Sequence, residues 1–275
     1  MSAIPLMKVF IPLYNELQKV VRFFSKQLGF DKFENKTGRK LAIPIADVIS
    51  MSLFKHENLK ETKKSIYKIF NLKNICSYKT LVVSINRWAP LAMKILFMFM
   101  KMNRENQHIL KHIDSSDIPV CLFKNAHAHK TMKGLASYGY GSKGIYFGLK
   151  IHLISDLKRK ILAVRITSAN VNDRDMVIPM SKDLYGLFVA DSGYISEKLM
   201  KEFYQEGKRI LLVKPRKNMK KIMTKFQEKI YGTRMLIELN FRNLKMFYGL
   251  VTSLPRSING YFANYIYALL AYQIA

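Results

Sequence analysis

The chain has 275 residues, enough for one large domain or two small ones, and 49% of them are hydrophobic, which excludes a disordered protein. It carries 46 Lys and Arg against 19 Asp and Glu, a formal net charge of +27. Because each phosphate neutralised by a cation releases a counterion, this charge favours nucleic acid as a partner. An anionic membrane surface and a surface charged only for solubility are the alternatives.

Cysteine spacing and hydropathy favour a protein of the reducing cytosol. Cys76 and Cys121 lie far apart and form no Cys-x-x-Cys pair, which argues against structural zinc and against a disulfide framework. No signal peptide is visible at residues 1–6. The apolar stretches 95–100 and 261–275 are shorter than the roughly 18–20 residues that span a bilayer. We therefore expect a cytoplasmic protein with no membrane partner.

Residues 1–105 are predicted to form a small helical domain. Apolar residues at helical spacing predict four helices, the last kinked or broken at Pro90, over residues 13–28, 43–53, 62–70 and 79–102. A small basic helical bundle is a common arrangement among DNA-binding proteins, which suggests binding to DNA ends. A helical scaffold or a dimerisation region is the alternative.

Residues 106–275 are predicted to form an α/β domain. Short apolar runs predict five strands at residues 109–113, 146–154, 161–167, 187–190 and 210–213. Short links predict an antiparallel meander for the first three. Helices predicted at 173–184 and 197–205 imply parallel pairing of the later strands, and a long helix begins near Thr233. This order fits a ribonuclease H-like fold, a mixed five-stranded sheet with flanking helices.

Two acids are placed where strands end. Asp114, in HIDSSDIPVC, ends or follows the first strand, and Asp191, in LFVADSGYIS, directly follows the fourth. Ligands usually bind at this edge of an open α/β sheet. Each acid also has a structural alternative. Asp114 can serve as an Asx-turn or strand-end residue, with Asp117 as a rival, and Asp191 can cap a helix, although Ser196 is better placed to do so.

A third acid, Glu238, lies on the late helix within a strongly basic tail. It faces the sheet if Met235 and Leu239 pack inward. The alternative is a surface ion pair with Arg234 or Arg242, each four residues away, which contributes only a few tenths of a kcal/mol.

Three carboxylates that converge at one sheet edge repel one another, and a divalent cation relieves that repulsion. Mg²⁺ binds oxygen ligands, usually one or two carboxylates with water and substrate phosphate. Two such ions about 3.5–4 Å apart stabilise the attacking and leaving oxygens of an in-line phosphoryl transfer. The candidate ligands are hard oxygens, so no other class of metal is indicated.

Two kinds of motif carry a family resemblance. The first is the spacing of Tyr231, Arg234, Glu238 and Lys245. The second is a series of segments in fixed order: IDSSDIPVC (113–121), YFGLKIHLI (146–154), ITSANVNDRD (166–175), ADSGYIS (190–196), KPRKNMK (214–220) and RSINGYFANYIYALLAY (256–272). Together they resemble DDE transposases of bacterial insertion sequences and, among these, the nine-eighty-two family. The resemblance covers residues 106–275 well and the N-terminal third only in general character.

The resemblance implies a metal-dependent DNA transposase. Asp114, Asp191 and Glu238 would be the catalytic, metal-binding triad for two Mg²⁺ ions, with Mn²⁺ able to substitute. Water would hydrolyse the phosphodiester bond at the terminal inverted repeats, and the freed 3′-hydroxyl would attack target DNA. Joining two ends implies a homodimer or a higher assembly on DNA. The protein is expected in the bacterial cytoplasm, associated with the nucleoid.

The resemblance also implies DNA-contacting residues. Lys245 would contact DNA near the transposon end, and Tyr231 and Arg234 would hold phosphate or orient Glu238. Arg242 is a further DNA-binding candidate on the same helix. A dense basic segment follows the fifth strand, either as a backbone-contacting patch or as a solvated face. Its candidate DNA-binding residues are Lys214, Arg216, Lys217, Lys220 and Lys221.

Two other functions stay open at this point. Where many relatives have Asp-Lys-Gly-Tyr, this chain has Ser192 in place of the lysine. A decayed copy would bind DNA without cleaving it. Another ribonuclease H-like nuclease would cut RNA or DNA junctions without strand transfer.

Overall fold

The computed structural model describes residues 4–34, 40–58, 62–141, 144–204, 208–216, 219–220 and 222–275. The chain divides into two compact units. The first unit is Met1–Phe99 with Leu244–Ala275, and the second unit is Met100–Asn243. The chain passes from the first unit to the second after Phe99, near the boundary expected at residue 105. It returns to the first unit at Leu244, which lies within the helix Met235–Met246. The assignment of DNA-end binding to 1–105 and of catalysis to 106–275 stays a prediction.

The described helices follow the order expected from the sequence, with one further helix, over Lys225–Gly232, that was not predicted. In the first half of the chain they are α1 (Ile4–Gln27), α2 (Ile45–Glu57), α3 (Lys63–Ile69) and α4 (Tyr78–Glu105). Later helices are α5 (Val177–Ser181), α6 (Glu197–Phe203), α7 (Lys225–Gly232), α8 (Met235–Met246) and α9 (Ile258–Ile274). The four helices predicted before residue 105 are all present.

Helix α4 passes through Pro90 without the break that was one predicted outcome. Its apolar residues keep helical spacing on both sides of the proline, and Leu81, Ile85, Ala92 and Ile95 are all buried. Pro90 itself is exposed, so the lost backbone hydrogen bond is on the solvent side. Of the described helices, α4 alone is long and apolar enough to cross a bilayer, and core helices pass the same test.

Aromatic packing holds the first unit together. Phe54 of α2 packs against Tyr14 of α1 and against Phe70 at the end of α3, with ring centroids 6.4 and 5.5 Å apart. Tyr267 of α9 is fully buried and donates its hydroxyl proton to the Ile85 carbonyl of α4 at 3.0 Å. The C-terminal helix therefore belongs to the core of the helical unit.

The second unit is built on a mixed sheet of six strands. They are β1 (Leu110–Pro119), β2 (Ser137–Gly141), β3 (Gly144–Asp156), β4 (Ile161–Ser168), β5 (Gly186–Ala190) and β6 (Arg209–Val213). Their order is β2-β3-β1-β5-β6, and β4 also pairs with β3. The pairs of β3 with β1, β2 and β4 are antiparallel, whereas β1–β5 and β5–β6 are parallel.

The meander and the parallel half are confirmed, and together they give the ribonuclease H-like arrangement. The sequence missed β2, whose SYGYG segment is too rich in glycine to read as a strand. Helices α5 and α6 pack on one face of the sheet. The buried hydrophobic core between them and the sheet includes Ile113, Val177, Phe188 and Phe203.

Strand β1 is longer than predicted, and this corrects the expected position of Asp114. The 13-residue strand β3 continues to pair with β1 as far as Pro119 opposite Gly148. Asp114 therefore lies inside β1, opposite Leu153, and does not end the strand.

Candidate active site

Asp114 and Asp191 lie at the same level on neighbouring parallel strands. The β1–β5 pairing runs as far as His112 opposite Val189. Two more residues in this register bring Asp114 beside Asp191, which directly follows the last residue of β5. The two carboxylates therefore share the carboxyl edge of the parallel strands, where ligands commonly bind.

The carboxyl group of Asp114 is mostly shielded from solvent. Its side chain is 15% exposed, and the Ser115 amide donates to Oδ1 at 2.8 Å. Burial, reinforced by Asp191 and Asp173 and opposed by Arg234 and the Ser115 hydrogen bond, raises the pKa of Asp114 to about 6. An ionised carboxylate in this position gains most from a nearby cation.

Arg234 is that cation, and it joins Asp114 to Glu238. Its Nη2 donates to Asp114 Oδ2 at 3.0 Å, and its Nη1 donates to Glu238 Oε1 at 2.6 Å. Arg234 lies in the turn before α8 and Glu238 lies one helical turn later, so their spacing directs both side chains to one place. Burial acts to lower the pKa of Arg234, but the surrounding carboxylates raise it on balance.

Tyr231 reaches the remaining acid. Its hydroxyl donates to Asp191 Oδ1 at 3.4 Å, a long hydrogen bond from the last turn of α7. The ammonium group of Lys214 lies 6.0 Å from the centre of the Tyr231 ring. Tyr231 and Arg234 thus both reach the sheet edge that carries Asp114 and Asp191. Glu238 is 56% exposed and is joined to that edge through Arg234, and Met235, at 60% exposed, does not pack inward as the prediction for Glu238 required.

A fourth carboxylate, Asp173, lies close by and was not singled out from the sequence. It belongs to the segment ITSANVNDRD, which supports the family resemblance as a whole but does not distinguish Asp173 from Asp175. Lys150 Nζ lies 2.9 Å from Asp173 Oδ1, and His152 Nδ1 lies 3.7 Å from the same oxygen. Burial lowers the pKa of His152 to about 4, so this ring is neutral at pH 7. Lys150 is therefore the counter-ion of Asp173, and the His152 contact is not an ion pair.

The other candidate residues are less closely tied to the acids. Arg242 is exposed on α8, and it is Arg234 that pairs with Glu238. Lys245 lies on α8 seven residues after Glu238 and belongs to the first unit. Lys214, Arg216 and Lys220 are exposed after β6. Lys217 and Lys221 lie outside the described residues.

The donor set suits a hard divalent cation. Among the described residues, no three His, Cys, Asp or Glu side chains stand in a metal-binding arrangement. However, the acids offer only carboxylate oxygens, which is the ligand type that Mg²⁺ prefers. A guanidinium cation already bridges two of them, Asp114 and Glu238. The chemistry of the site therefore fits a metal ion, with Arg234 as its competitor.

Comparison with known families agrees with this geometry. Residues 104–258, more than half of the chain, match the family described as a transposase DDE domain. The matched segment contains Asp114, Asp191 and Glu238. A search of curated proteins gave no match. The narrower assignment to the nine-eighty-two family stays a prediction, whereas the prediction of an insertion-sequence DDE transposase is confirmed: the chain belongs to the DDE transposase family.

Proposed function

We propose that this transposase cleaves the phosphodiester bonds at the terminal inverted repeats of an insertion sequence and joins the 3′-hydroxyl to target DNA. Asp114, Asp191 and Glu238 serve as the metal ligands. The observation that carries the proposal is the bridge of Arg234 between Asp114 and Glu238 at the strand edge that also bears Asp191. Acids gathered around a cation are what a metal-dependent phosphoryl transfer requires.

Two Mg²⁺ ions, or Mn²⁺ in their place, would lower the pKa of bound water and neutralise charge on the reacting phosphate. The protein's own contribution is to gather the acids at one sheet edge and to supply a cation between two of them. Above pH 6 Asp114 is mainly a carboxylate, and in the absence of metal Arg234 balances its charge. When Arg234 is released from Asp114, the two NH groups of its guanidinium can bind two oxygens of a phosphate. This contact would help to orient the DNA strand.

DNA is the partner expected of this family. The basic residues of the chain are the candidates for contacts with its phosphates. Exposed Lys214, Arg216 and Lys220 bind backbone phosphate and give affinity without sequence choice. Lys217 and Lys221 share this role by their position in the same segment. Arg242 and Lys245 on α8 add contacts near the transposon end. Residues 1–105 recognise the DNA ends, and a homodimer or larger assembly joins two ends.

The test is cleavage of a duplex that carries the element's own terminal repeat, with Mg²⁺ or Mn²⁺ present. Asp191→Asn should abolish cleavage and strand transfer while binding to the same duplex persists. Asp183→Asn is the matched control, because Asp183 is a solvent-exposed acid of the same unit that pairs with Arg104 rather than with the residues of the site. Cleavage by the Asp191→Asn protein would refute the triad. Salt-sensitive DNA binding by a wild-type chain that never cleaves would identify a decayed copy.

A further inference from the structure

The first unit contains a cavity of about 420 Å³ that takes no part in the proposed chemistry. Its walls come from α2, α3, α4, the segment before α9 and the start of α9. All of its lining residues belong to the first unit. The polar part of the lining includes Lys55, Lys63, Asn86, Arg256, Ser257 and Gly260.

Two lysines face this space, and neither forms an ion pair with an acid among the residues that the structure describes. Lys55 lies in the last turn of α2 and Lys63 is the first residue of α3, and no described residue of the lining is acidic. The pKa of each ammonium group is lowered to about 8, by burial for Lys63 and by burial together with the charge of Lys63 for Lys55. Lys63 Nζ donates to Asn86 Oδ1 at 2.7 Å, which is a neutral partner. Partly buried like charges that repel one another are costly unless an anion joins them.

The N-terminus of α9 and Arg256 add positive electrostatic potential to the lining of the cavity. Helix α9 has 17 residues, and its N-cap Ser257 accepts a hydrogen bond from the Gly260 amide at 3.1 Å. The helix N-terminus carries a partial positive charge, and Arg256 directly precedes the cap. A Cβ on Gly260 would lie only 3.2 Å from the Pro255 side chain, so the backbone here is tightly packed. The cavity therefore combines three cationic side chains with a helix N-terminus.

We infer that this cavity is a phosphate-binding site, separate from the catalytic acids and independent of whether they act as proposed. Phosphate oxygens can accept hydrogen bonds from several ammonium and guanidinium groups at once. In a DNA-acting protein the phosphate comes either from the DNA backbone or from a small compound such as a mononucleotide.

The first test compares two double variants by titration with inorganic phosphate. Lys55→Met/Lys63→Met removes both lysines of the cavity. Lys64→Met/Lys68→Met removes the same charge from exposed positions of α3 and is the control. The cavity variant should bind phosphate at least about tenfold more weakly than the control, because each lost charged hydrogen bond costs on that order. Equal binding by both variants, or no binding by the wild type, would overturn the inference.

A second test uses the unmodified chain and so does not depend on how the variants fold. Phosphate should protect Lys55 and Lys63, but not Lys64, from acylation at pH 8, as read by mass spectrometry. Protection by a short DNA duplex that competes with phosphate would identify the backbone as the source. Protection by a mononucleotide alone would identify a small compound. If neither protects these two lysines, the cavity is not a phosphate site.

Discussion

Arg234 forms an ion pair with Asp114 across 120 residues of sequence, with Nη2 and Oδ2 3.0 Å apart. The same guanidinium binds Glu238, so one side chain fixes the distance between two acids that come from a strand and a helix. In the proposed mechanism Asp114 and Glu238 would hold a metal ion instead. Arg234 is therefore expected to oppose metal binding until DNA draws it away.

Arg234→Met should raise the affinity of the DNA-free protein for Mn²⁺ by about tenfold, because a positive charge within about 4 Å of the ligands is removed. Isothermal titration calorimetry measures this directly. Arg242→Met is the control, since Arg242 is exposed on the same helix. DNA cleavage should fall in the Arg234 variant, because the phosphate loses its guanidinium partner. An unchanged or weaker Mn²⁺ affinity would show that Arg234 does not compete with metal.

Gly148→Ala should destabilise the second unit by about 3 kcal/mol or more, at the upper end of overpacking effects. A Cβ there would lie 2.2 Å from the Ile118 carbonyl oxygen and 2.9 Å from Pro119 Cα, both backbone atoms of β1. The register that carries Asp114 depends on this close approach. Urea denaturation provides the measurement. Gly193→Ala is the control, because its Cβ would meet nothing within 4 Å; equal effects would contradict the packing argument.

His152 should make folding sensitive to acid. Burial lowers its pKa to about 4, below the unfolded value of 6.5, so the folded state favours the neutral ring. Its stabilising contribution is present above pH 6.5 and is lost as the pH falls towards 4. The full effect is at most about 3 kcal/mol. His152→Gln should flatten the pH dependence of the free energy of unfolding in this window. An identical pH profile for the variant would show that other groups control it.

The sequence was informative where hydrophobic pattern decides structure. Apolar runs located β3, β4, β5 and β6. The end of a buried strand singled out Asp191 and the spacing from Tyr231 to Lys245 singled out Glu238, and the catalytic roles of both stay predictions. Pairing between strands that are distant in the sequence could not be predicted from hydrophobic pattern. The extension of β1 around Asp114 depends on a pairing with β3, and the strand β2 depends on glycines that carry no hydrophobic signal.

The sequence also could not predict which distant residues the side chains of Arg234 and Asp173 contact. The spacing of Arg234 and Glu238 left a simple surface pair open, and such a pair does exist. What spacing cannot show is the second bond of Arg234, to a strand residue 120 positions away. Likewise, Asp173 gains its place near Asp114 only through the fold, since its ion pair with Lys150 joins distant segments.

Removing charge from the segment after β6 should weaken DNA binding equally for all sequences. Lys214, Arg216 and Lys220 are exposed there, and each phosphate contact contributes about 0.9 to the slope of log affinity against log salt. The triple alanine variant should lower that slope by about 3. Fluorescence anisotropy with terminal-repeat and random duplexes measures it. A triple variant of the exposed residues Lys182, Lys198 and Lys201 removes the same net charge elsewhere in the second unit. If both variants lose the same slope, the effect reflects total charge rather than contacts made by this segment.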